Sequence, residues 1–212
     1  MMSMVFLITI AGGSGSGKTT AAKKIVDVSR KNVLLISLDN YYKDLSYLPS
    51  KLRNKTNFDH PDALDWPLLR KQISELVAGR AVRMPCYSFV THTRTKYSAV
   101  KSRPIIVLEG IFALYDAQIN KMSDLRLFVD TNSDIRFIRR LERDVNERGR
   151  THSEVATQWV KQVKLMYDKF IEPTKHNAHV ILPEDPEGQM RGKAIDLVKA
   201  KIKNVLKSRR AK

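Results

Sequence analysis

Residues 12–19 read GGSGSGKT and match the pattern G-x-x-x-x-G-K-[ST] at every fixed position. The glycines allow backbone N–H groups to turn inward around phosphate oxygens, and a helix that begins here adds a positive partial charge. Lys18 is expected to contact the β- and γ-phosphates, and the Thr19 hydroxyl to bind Mg²⁺. The motif predicts a nucleoside triphosphate site, but GTPases, helicases, motors and small-molecule kinases all share it. The predicted phosphate-binding residues are Gly12, Gly13, Ser14, Gly15, Ser16, Gly17, Lys18, Thr19 and Thr20.

Three acidic residues each follow an apolar run of strand-like composition: Asp39, Glu109 and Asp130. In open α/β sheets, ligands bind beyond the carboxyl ends of the strands, where these acids are expected to lie. Phosphoryl transfer needs one carboxylate near the magnesium ion and one to accept the proton of the acceptor hydroxyl. Asp39 and Glu109 directly end long apolar runs and are the candidates for that chemistry. Asp130 precedes Thr-Asn-Ser and is more typical of a helix N-cap.

Residues 133–150 form an arginine-rich segment, SDIRFIRRLERDVNERGR, in which Gly149 breaks the helical pattern. Arg140 and Arg143 are three residues apart and share one helix face. One interpretation is a mobile lid near residues 140–155 that brings guanidinium groups onto a triphosphate and excludes water. The alternative is a salt-bridged, solvated helix, which would explain the interleaved acids Glu142, Asp144 and Glu147.

Short runs rich in Val, Ile and Leu alternate with longer amphipathic stretches, a pattern typical of an α/β fold with a parallel sheet covered on both faces. We expect one domain over residues 1–212, with a five-stranded parallel sheet flanked by helices. Residues 80–103 break the alternation and predict an inserted β-hairpin. Strands are predicted at Met4–Ile10, Val33–Leu38, Pro104–Leu108, Leu125–Val129 and Ala178–Leu182. Helices are predicted near residues 18–30, 63–78, 112–119, 133–147, 153–171 and 188–206.

The net charge is +16, from 38 Lys and Arg against 22 Asp and Glu, and a nucleic-acid partner would explain such an excess. Half of it lies in residues 191–212, where nine basic residues and one acid give +8. Apolar residues recur there at helical spacing and predict a basic C-terminal helix that docks one face on the domain: Ile195, Leu197, Val198, Ile202, Val205 and Leu206. The segment lacks the interleaved aromatic residues of single-strand binders, so nucleic-acid binding is the less favoured alternative.

The single cysteine, Cys86, excludes an internal disulfide framework and fits a reducing cytosol. No apolar run approaches the ~20 residues of a membrane helix, and the N-terminus lacks the basic region of a signal peptide. A cytoplasmic protein without a membrane segment is therefore expected. Residues 120–124, NKMSD, have one residue too many for the guanine-binding pattern N-K-x-D and follow a helix-like segment, so a GTPase is not predicted.

Eight segments, in a fixed order over nearly the whole chain, resemble a known family: AGGSGSGKTT (11–20), ISLDNYYKD (36–44), NFDHPDALD (57–65), PCYSFVTHTR (85–94), VLEGI (107–111), FVDT (128–131), RRLERDVNERGR (139–150) and FIEPTKHNA (170–178). Together they resemble the uridine kinase family, also called uridine-cytidine kinases. The resemblance implies a P-loop kinase fold and Mg²⁺-dependent transfer of the γ-phosphoryl group of ATP or GTP. The implied acceptor is the 5′-hydroxyl of uridine or cytidine, giving UMP or CMP in pyrimidine salvage, and the implied assembly is a homotetramer.

The same resemblance implies roles for single residues. Asp39 matches the general base beside Lys18, and Thr19, Glu109 and Asp39 match the residues around the magnesium ion. Asp59 and Arg140 match the pair that binds the ribose 2′- and 3′-hydroxyls, which would favour ribonucleosides over 2′-deoxy forms. The remaining matches are Phe58, Tyr87, Phe89 and His92 in the base pocket, Gln158 at the nucleoside, and Arg143, Arg148 and Arg150 in the triphosphate lid.

Within the base pocket, Phe58 and Phe89 are expected to sandwich the pyrimidine, while Tyr87 and His92 form hydrogen bonds to its edge. Two positions depart from the family. Residues 182–188, LPEDPEG, replace a P-R-G-G turn near the donor base, which leaves ATP and GTP both open as donors. Cys86 replaces an aliphatic residue and is expected to be a small buried hydrophobe. Phosphoribulokinase-like or pantothenate-kinase-like enzymes remain the related alternative, although they would not share NFDHP or the 85–94 segment.

Overall fold

The strands form two separate sheets in the computed structural model, which describes residues 5–53, 55–184 and 189–210. In chain order the strands are β1 (Phe6–Gly12), β2 (Val33–Ser37), β3 (Val82–Ser88), β4 (Thr93–Val100), β5 (Ile105–Glu109), β6 (Leu125–Val129) and β7 (Val180–Leu182). Five of them run parallel in the order β2-β5-β1-β6-β7, and β3 and β4 pair as an antiparallel hairpin. The predicted sheet and hairpin are confirmed, while Met4, assigned to the first strand, lies outside the described residues.

Helices flank the parallel sheet. In chain order they are α1 (Lys18–Val26), α2 (Ser50–Arg53), α3 (Trp66–Val77), α4 (Ala117–Met122), α5 (Ser133–Arg148), α6 (His152–Gln158), α7 (Lys164–Met166) and α8 (Gln189–Arg210). Helix α7 lies between two π-helical segments, Trp159–Val163 and Tyr167–Ile171. The helix predicted near residues 153–171 is therefore present, with two of its segments π-helical. Short 3₁₀ turns occupy Leu38–Tyr41, Pro61–Ala63 and Glu172–Asn177.

Capping side chains explain why two helices begin later than the sequence predicts. The Asp65 carboxylate accepts a hydrogen bond from the Leu68 N–H at 3.1 Å, so α3 begins at Trp66 rather than at residue 63. The Asp116 carboxylate accepts from the N–H groups of Gln118 and Ile119, both at 3.0 Å. The helix predicted near residues 112–119 therefore begins only at Ala117, after this cap, and ends at Met122.

Strand β5 is buried along its whole length, which explains why its sequence is apolar throughout rather than alternating. Its side chains alternate between the two cores of the molecule. Ile106 and Leu108 belong to a core that includes residues of α3 and α4, whereas Ile105 and Val107 belong to one that includes residues of α1 and α8. The carboxyl ends of β1, β2 and β5 are thereby fixed at one edge of the sheet.

The basic helix α8 docks on the sheet as predicted, with Ile195, Val198 and Ile202 buried. Leu197 was assigned to the same apolar face, but it is 74% exposed, so that assignment is wrong. Gly188, the predicted first residue of this helix, lies outside the described residues. Among the described residues, no helix has the length and apolar character needed to cross a membrane.

The hairpin packs against α3 and the 3₁₀ turn after β2. Gln72 of α3 fastens it, since its amide donates to the Arg83 carbonyl at 2.8 Å and accepts from the Tyr41 hydroxyl at 2.9 Å. Cys86 of β3 is only partly buried, with its sulfur 3.4 Å from the Ser98 hydroxyl, so the expectation of a buried hydrophobe is wrong. The hairpin is thus a fixed extension of the domain that positions aromatic side chains beside β2.

Candidate active site

The phosphate-binding motif forms the loop between β1 and α1, in the strand–loop–helix context that the sequence predicts. Gly15 and Gly17 have φ angles of +78° and +85°, a left-handed conformation that favours glycine. A Cβ atom on Gly15 would collide with the carbonyl oxygen of Arg136, a backbone atom that cannot move aside. The Ser16 N–H donates to the Gly13 carbonyl at 3.1 Å, which tightens the loop ahead of the helix N-terminus. Residues 12–17 thus form the phosphate loop.

Lys18, Thr19, Asp39 and Glu109 meet at the carboxyl ends of β1, β2 and β5. The Thr19 hydroxyl donates to the Glu109 carboxylate at 3.1 Å. The Asp39 N–H donates to the Ser37 hydroxyl at 3.3 Å, which fixes the turn that carries this carboxylate. Burial lowers the pKa of Lys18, while the charges of Glu109 and Asp39 oppose that shift. The acids that end two neighbouring strands therefore flank the lysine of the phosphate loop.

Burial raises the pKa of Asp39 to about 6; the Lys18 ammonium opposes this shift and the Glu109 carboxylate adds to it. Arg148 and Arg143 also act to lower this pKa. A carboxylate with such a pKa is ionised at neutral pH and binds a proton more readily than an ordinary aspartate. Asp39 therefore combines the location and the proton affinity expected of a general base.

The same residues supply a suitable donor set for a hard cation. Two carboxylates, on Asp39 and Glu109, and the Thr19 hydroxyl share the site. Over residues 5–53, 55–184 and 189–210, no group of three or more His, Cys, Asp or Glu side chains is arranged to hold a metal. Mg²⁺ is commonly bound by one or two carboxylates together with substrate phosphates and water, so this sparse set of oxygen ligands fits it.

An open cleft of about 710 Å³ lies over the phosphate loop. Lys18, Thr19 and Asp39 line its floor, and Arg139, Arg143 and Arg148 come from the predicted lid. Lys23 and Lys24 of α1 and Arg191, Gly192 and Ile195 of α8 complete the lining. Gly15, Gly17 and Thr20 also reach the cleft, whereas Gly12 and Gly13 abut Val129 and Arg136 instead. The cleft has the size of a small-molecule site and a strongly basic lining.

Asp144 lies at the centre of the predicted lid and is fully buried. Its Oδ1 accepts hydrogen bonds from Arg143 Nε at 2.9 Å and Nη2 at 2.7 Å, and Arg148 Nη1 lies at 3.4 Å. Its Oδ2 lies 3.5 Å from Arg140 Nε and 3.8 Å from Arg150 Nη1. The alternative of a solvated helix is wrong for this face, because Asp144, Arg136 and Arg140 are all buried. We call Arg140, Arg143, Arg148 and Arg150 the arginine cluster.

Arg191 and Glu184 form a second ionic group beside the cleft that the sequence did not reveal. Arg191 donates to the Ser16 carbonyl at 3.3 Å and to the Thr131 hydroxyl at 2.8 Å, and it pairs with Glu184 at 2.9 Å. Glu184 also pairs with Arg139 through two hydrogen bonds of 3.1 Å. Glu184 belongs to the segment that departs from the family pattern, whose residues 185–188 lie outside the described part of the chain.

Asp130 does not cap α5. The N-cap of that helix is Asn132, and the Asp130 carboxylate instead pairs with the Lys175 ammonium at 2.6 Å. The N-cap interpretation of Asp130 is therefore wrong, although its assignment to structure rather than chemistry agrees with this pairing.

The predicted ribose-binding pair lies beside the phosphate loop. Asp59 is 7% exposed, and its Oδ1 lies 3.8 Å from Arg140 Nη1. The same nitrogen donates to the Ser14 hydroxyl at 3.0 Å, and Arg140 Nη2 donates to the Gln158 amide oxygen at 3.0 Å. Arg150 also donates to that amide oxygen. Arg140 therefore connects the phosphate loop with the carboxylate predicted to hold the sugar.

Three of the four predicted base-pocket residues contact Tyr42, which sequence reasoning did not assign. Tyr42 contacts the rings of Phe58 and Tyr87 at 5.3 Å and that of Phe89 at 6.2 Å. The His92 imidazole stacks on Phe58 at 4.6 Å with an interplanar angle of 16°. His92 therefore covers one face of Phe58. The expectation that Phe58 and Phe89 sandwich the pyrimidine did not include this contact.

Two polar atoms in this aromatic cluster have no hydrogen-bond partner within the described part of the protein: the buried Tyr87 hydroxyl and His92 Nδ1. Burial lowers the pKa of His92, and the charges of Arg150 and Arg53 lower it further, so the imidazole is neutral at neutral pH. Arg148 of the arginine cluster lies 4.8 Å from the centre of the Phe89 ring. A planar ligand with hydrogen-bonding edges would satisfy groups that are otherwise costly to bury.

Comparison with known proteins found relatives in sequence and in fold. The model of the phosphoribulokinase/uridine kinase family matches residues 7–203. A protein from Deinococcus deserti named uridine kinase is 45% identical over 203 residues, covering 95% of this chain and 97% of that protein. One of the same name from Lactobacillus johnsonii is 47% identical over 204 residues, covering 94% of this chain and 95% of that protein.

Among solved structures, a phosphoribulokinase from Rhodobacter spheroides is similar with a TM-score of 0.63 and 14% identity, covering 85% of this chain and 70% of that one. A possible uridine kinase from Bacillus stearothermophilus is similar with a TM-score of 0.54 and 20% identity, covering 84% of this chain and 88% of that one. At such identities these structures support the fold alone, which is that of P-loop kinases.

Proposed function

Because the chain belongs to the phosphoribulokinase/uridine kinase family, we propose that this phosphotransferase phosphorylates uridine, and also cytidine, at the 5′-hydroxyl. The donor is the γ-phosphate of ATP or GTP, and the products are UMP and CMP. The observation that carries the proposal is the position of Arg140, which contacts both Ser14 of the phosphate loop and Asp59. A sugar held at Asp59 would lie next to a triphosphate held by the loop.

Lys18 and the N–H groups of the phosphate loop hold the donor's phosphates, and Thr19, Glu109 and Asp39 would hold Mg²⁺. When bound, Mg²⁺ would neutralise charge that develops on the β- and γ-phosphates. Arg143 and Arg148 line the same cleft and stabilise negative charge on the transferred group. Closure of the lid near residues 140–155 excludes water, so that the nucleoside rather than water receives the phosphoryl group.

Asp39 accepts the proton of the 5′-hydroxyl as the new O–P bond forms and the bond to the leaving nucleoside diphosphate breaks. Its position at the end of β2, beside Lys18, supports this role. The carboxylate of Asp59 accepts hydrogen bonds from the ribose 2′- and 3′-hydroxyls, with Arg140 holding it in place. The aromatic cluster binds the pyrimidine, and the Tyr87 hydroxyl and His92 Nδ1 supply hydrogen bonds to its edge.

The aromatic cluster favours a nucleoside over the related sugar-phosphate substrates. Five aromatic side chains, those of Tyr42, Phe58, Tyr87, Phe89 and His92, contact one another at the acceptor side. Such a surface suits a flat base. The resemblance supports a cytoplasmic homotetramer in pyrimidine salvage, and the match over residues 7–203 supports a single catalytic domain.

A coupled assay tests the proposal directly. The purified protein is incubated with Mg²⁺, with ATP or GTP, and with a panel of nucleosides and sugar phosphates, and formation of the nucleoside diphosphate is followed. Phosphorylation of uridine and cytidine is expected. Phosphorylation of a sugar phosphate without any nucleoside activity would overturn the proposal in favour of a phosphoribulokinase-like enzyme.

The pKa of Asp39 predicts an acid limb in the pH–rate profile. Because the carboxylate must be ionised to accept a proton and its pKa is about 6, kcat/KM should fall below pH 6 and reach a plateau above it. At about pH 5 the loss should be roughly tenfold. The rates are measured with both substrates below their KM, so that the profile reports the free protein. A flat profile from pH 5 to 7 would contradict the assignment, as would an identical limb in the residual activity of Asp39→Asn.

A further inference from the structure

We infer that Gln162 is a positioning residue that orients the Asp59 carboxylate toward the acceptor sugar and so sets the preference for ribose over 2′-deoxyribose. This inference rests on the proposed function. Gln162 lies outside every motif that the sequence analysis used, and it is 103 positions from Asp59 in the chain.

The contacts of Asp59 divide between its two oxygens. Oδ2 accepts a hydrogen bond from Gln162 Nε2 at 3.1 Å. Oδ1 faces Arg140 at 3.8 Å, which is an ion-pair distance but too long for a hydrogen bond. Within residues 5–53, 55–184 and 189–210, the bond from Gln162 is the one hydrogen bond that this carboxylate accepts. A neutral amide therefore fixes the rotation of this carboxylate.

The π-helical segment Trp159–Val163 carries Gln162 and begins directly after Gln158. The buried side chains of Trp159 and Val163 anchor this segment in the protein. Gln158 accepts from Arg140, and Gln162 donates to Asp59, so two glutamines four residues apart hold the two members of one ion pair. Single π-helical turns occur frequently at functional sites.

The orientation matters because the two hydroxyls of ribose are adjacent and both donate to the carboxylate. If the Gln162 bond is lost, the nearest remaining donor is Arg140, and the carboxylate is free to rotate onto the guanidinium. Asp59 would then offer a poorer geometry to the 2′- and 3′-hydroxyls. A site that binds a hydroxyl well rejects the analogue without it, so loss of that geometry should reduce discrimination as well as affinity.

The test compares Gln162→Leu with the unmodified protein, using uridine and 2′-deoxyuridine with ATP. For uridine kcat/KM is expected to fall ~10-fold, about the effect of losing one hydrogen bond to a charged group, whereas for 2′-deoxyuridine it should fall less than ~3-fold. The KM for ATP should not change. Gln162→Glu, which places a second carboxylate beside Asp59, should lose more uridine activity than Gln162→Leu.

The control is Lys161→Ala, a substitution at the neighbouring exposed position of the same π-helical segment, which should leave the uridine to 2′-deoxyuridine ratio unchanged. An equal fall for both nucleosides in a folded Gln162→Leu variant would indicate a merely structural role and would overturn the inference. Unchanged kinetics for both nucleosides would overturn it too. If the unmodified protein does not phosphorylate uridine, the proposed function fails and the inference fails with it.

Discussion

Asp39→Asn is expected to reduce kcat for uridine phosphorylation by at least ~10²-fold, since general-base catalysis contributes ~10²–10⁴-fold. The amide has nearly the shape of the carboxylate but cannot accept the proton of the 5′-hydroxyl. Asn also removes one negative charge from a site that holds Lys18 and the arginine cluster, so the direct electrostatic attraction of the triphosphate should not weaken. The measurement is steady-state kcat with uridine and ATP both saturating.

Two comparisons separate the role as a base from a role in metal binding. If Asp39 acted only through Mg²⁺, raising the Mg²⁺ concentration would restore much of the lost rate, whereas loss of the base is not restored. Asp196→Asn, at an exposed position of α8 where the carboxylate pairs with Lys199, is the matched control and should retain full activity. Near-normal turnover of Asp39→Asn would remove Asp39 from the role of general base.

The donor side of the site was predictable from the sequence because its signals are local. The phosphate loop needs a strand before it and a helix after it. The residues on either side of positions 12–19 predict both elements. Asp39 and Glu109 each follow an apolar strand directly, so the parallel sheet alone brings them to the same edge. Their close approach requires in addition that β2 and β5 be neighbours, an order fixed by the packing of the whole chain.

The acceptor side was predictable only through the resemblance, and even so incompletely. Tyr42 stands next to Tyr41 in the sequence, yet Tyr41 is bound to Gln72 under the hairpin while Tyr42 centres the aromatic cluster. Nothing in the local pattern separates their roles, because both side chains are buried by residues distant in the chain. The role of Gln162 was not predicted for the same reason. Its hydrogen bond to Asp59 depends on a π-helical turn that no sequence periodicity reveals.

The charge pattern of the arginine-rich helix does not by itself predict whether the helix is solvated or buried. Alternating acids and arginines are equally typical of a solvated helix and of an anion-binding lid. The burial of Asp144 argues against a solvated helix on this face, because a fully buried carboxylate does not lie on a wet surface. The Asp144 carboxylate offsets the mutual repulsion of the four arginines that surround it.

Asp144→Asn is therefore expected to destabilise the fold by about 3 kcal/mol, near the lower end of the cost of breaking a buried ion pair, because Arg143, Arg148 and Arg150 can still turn toward water. For a chain of this length the melting temperature should fall by about 6–12 °C. The measurement is urea unfolding followed by circular dichroism. Glu142→Gln, at an exposed position of the same helix, is the control and should change stability by less than ~0.5 kcal/mol.

The loss of stability caused by Asp144→Asn should also depend on pH. Burial raises the pKa of Asp144, but Arg143 and Arg140 outweigh it and hold that pKa below its ordinary value. A carboxyl group whose pKa is lowered on folding stabilises the protein above its unfolded pKa of about 4 and loses that contribution as the pH falls through the folded value. The stability difference between the unmodified protein and Asp144→Asn should thus be largest near neutrality and shrink below about pH 4. A difference that stayed constant across this range would mean that the cluster is held by packing rather than by the charge of Asp144.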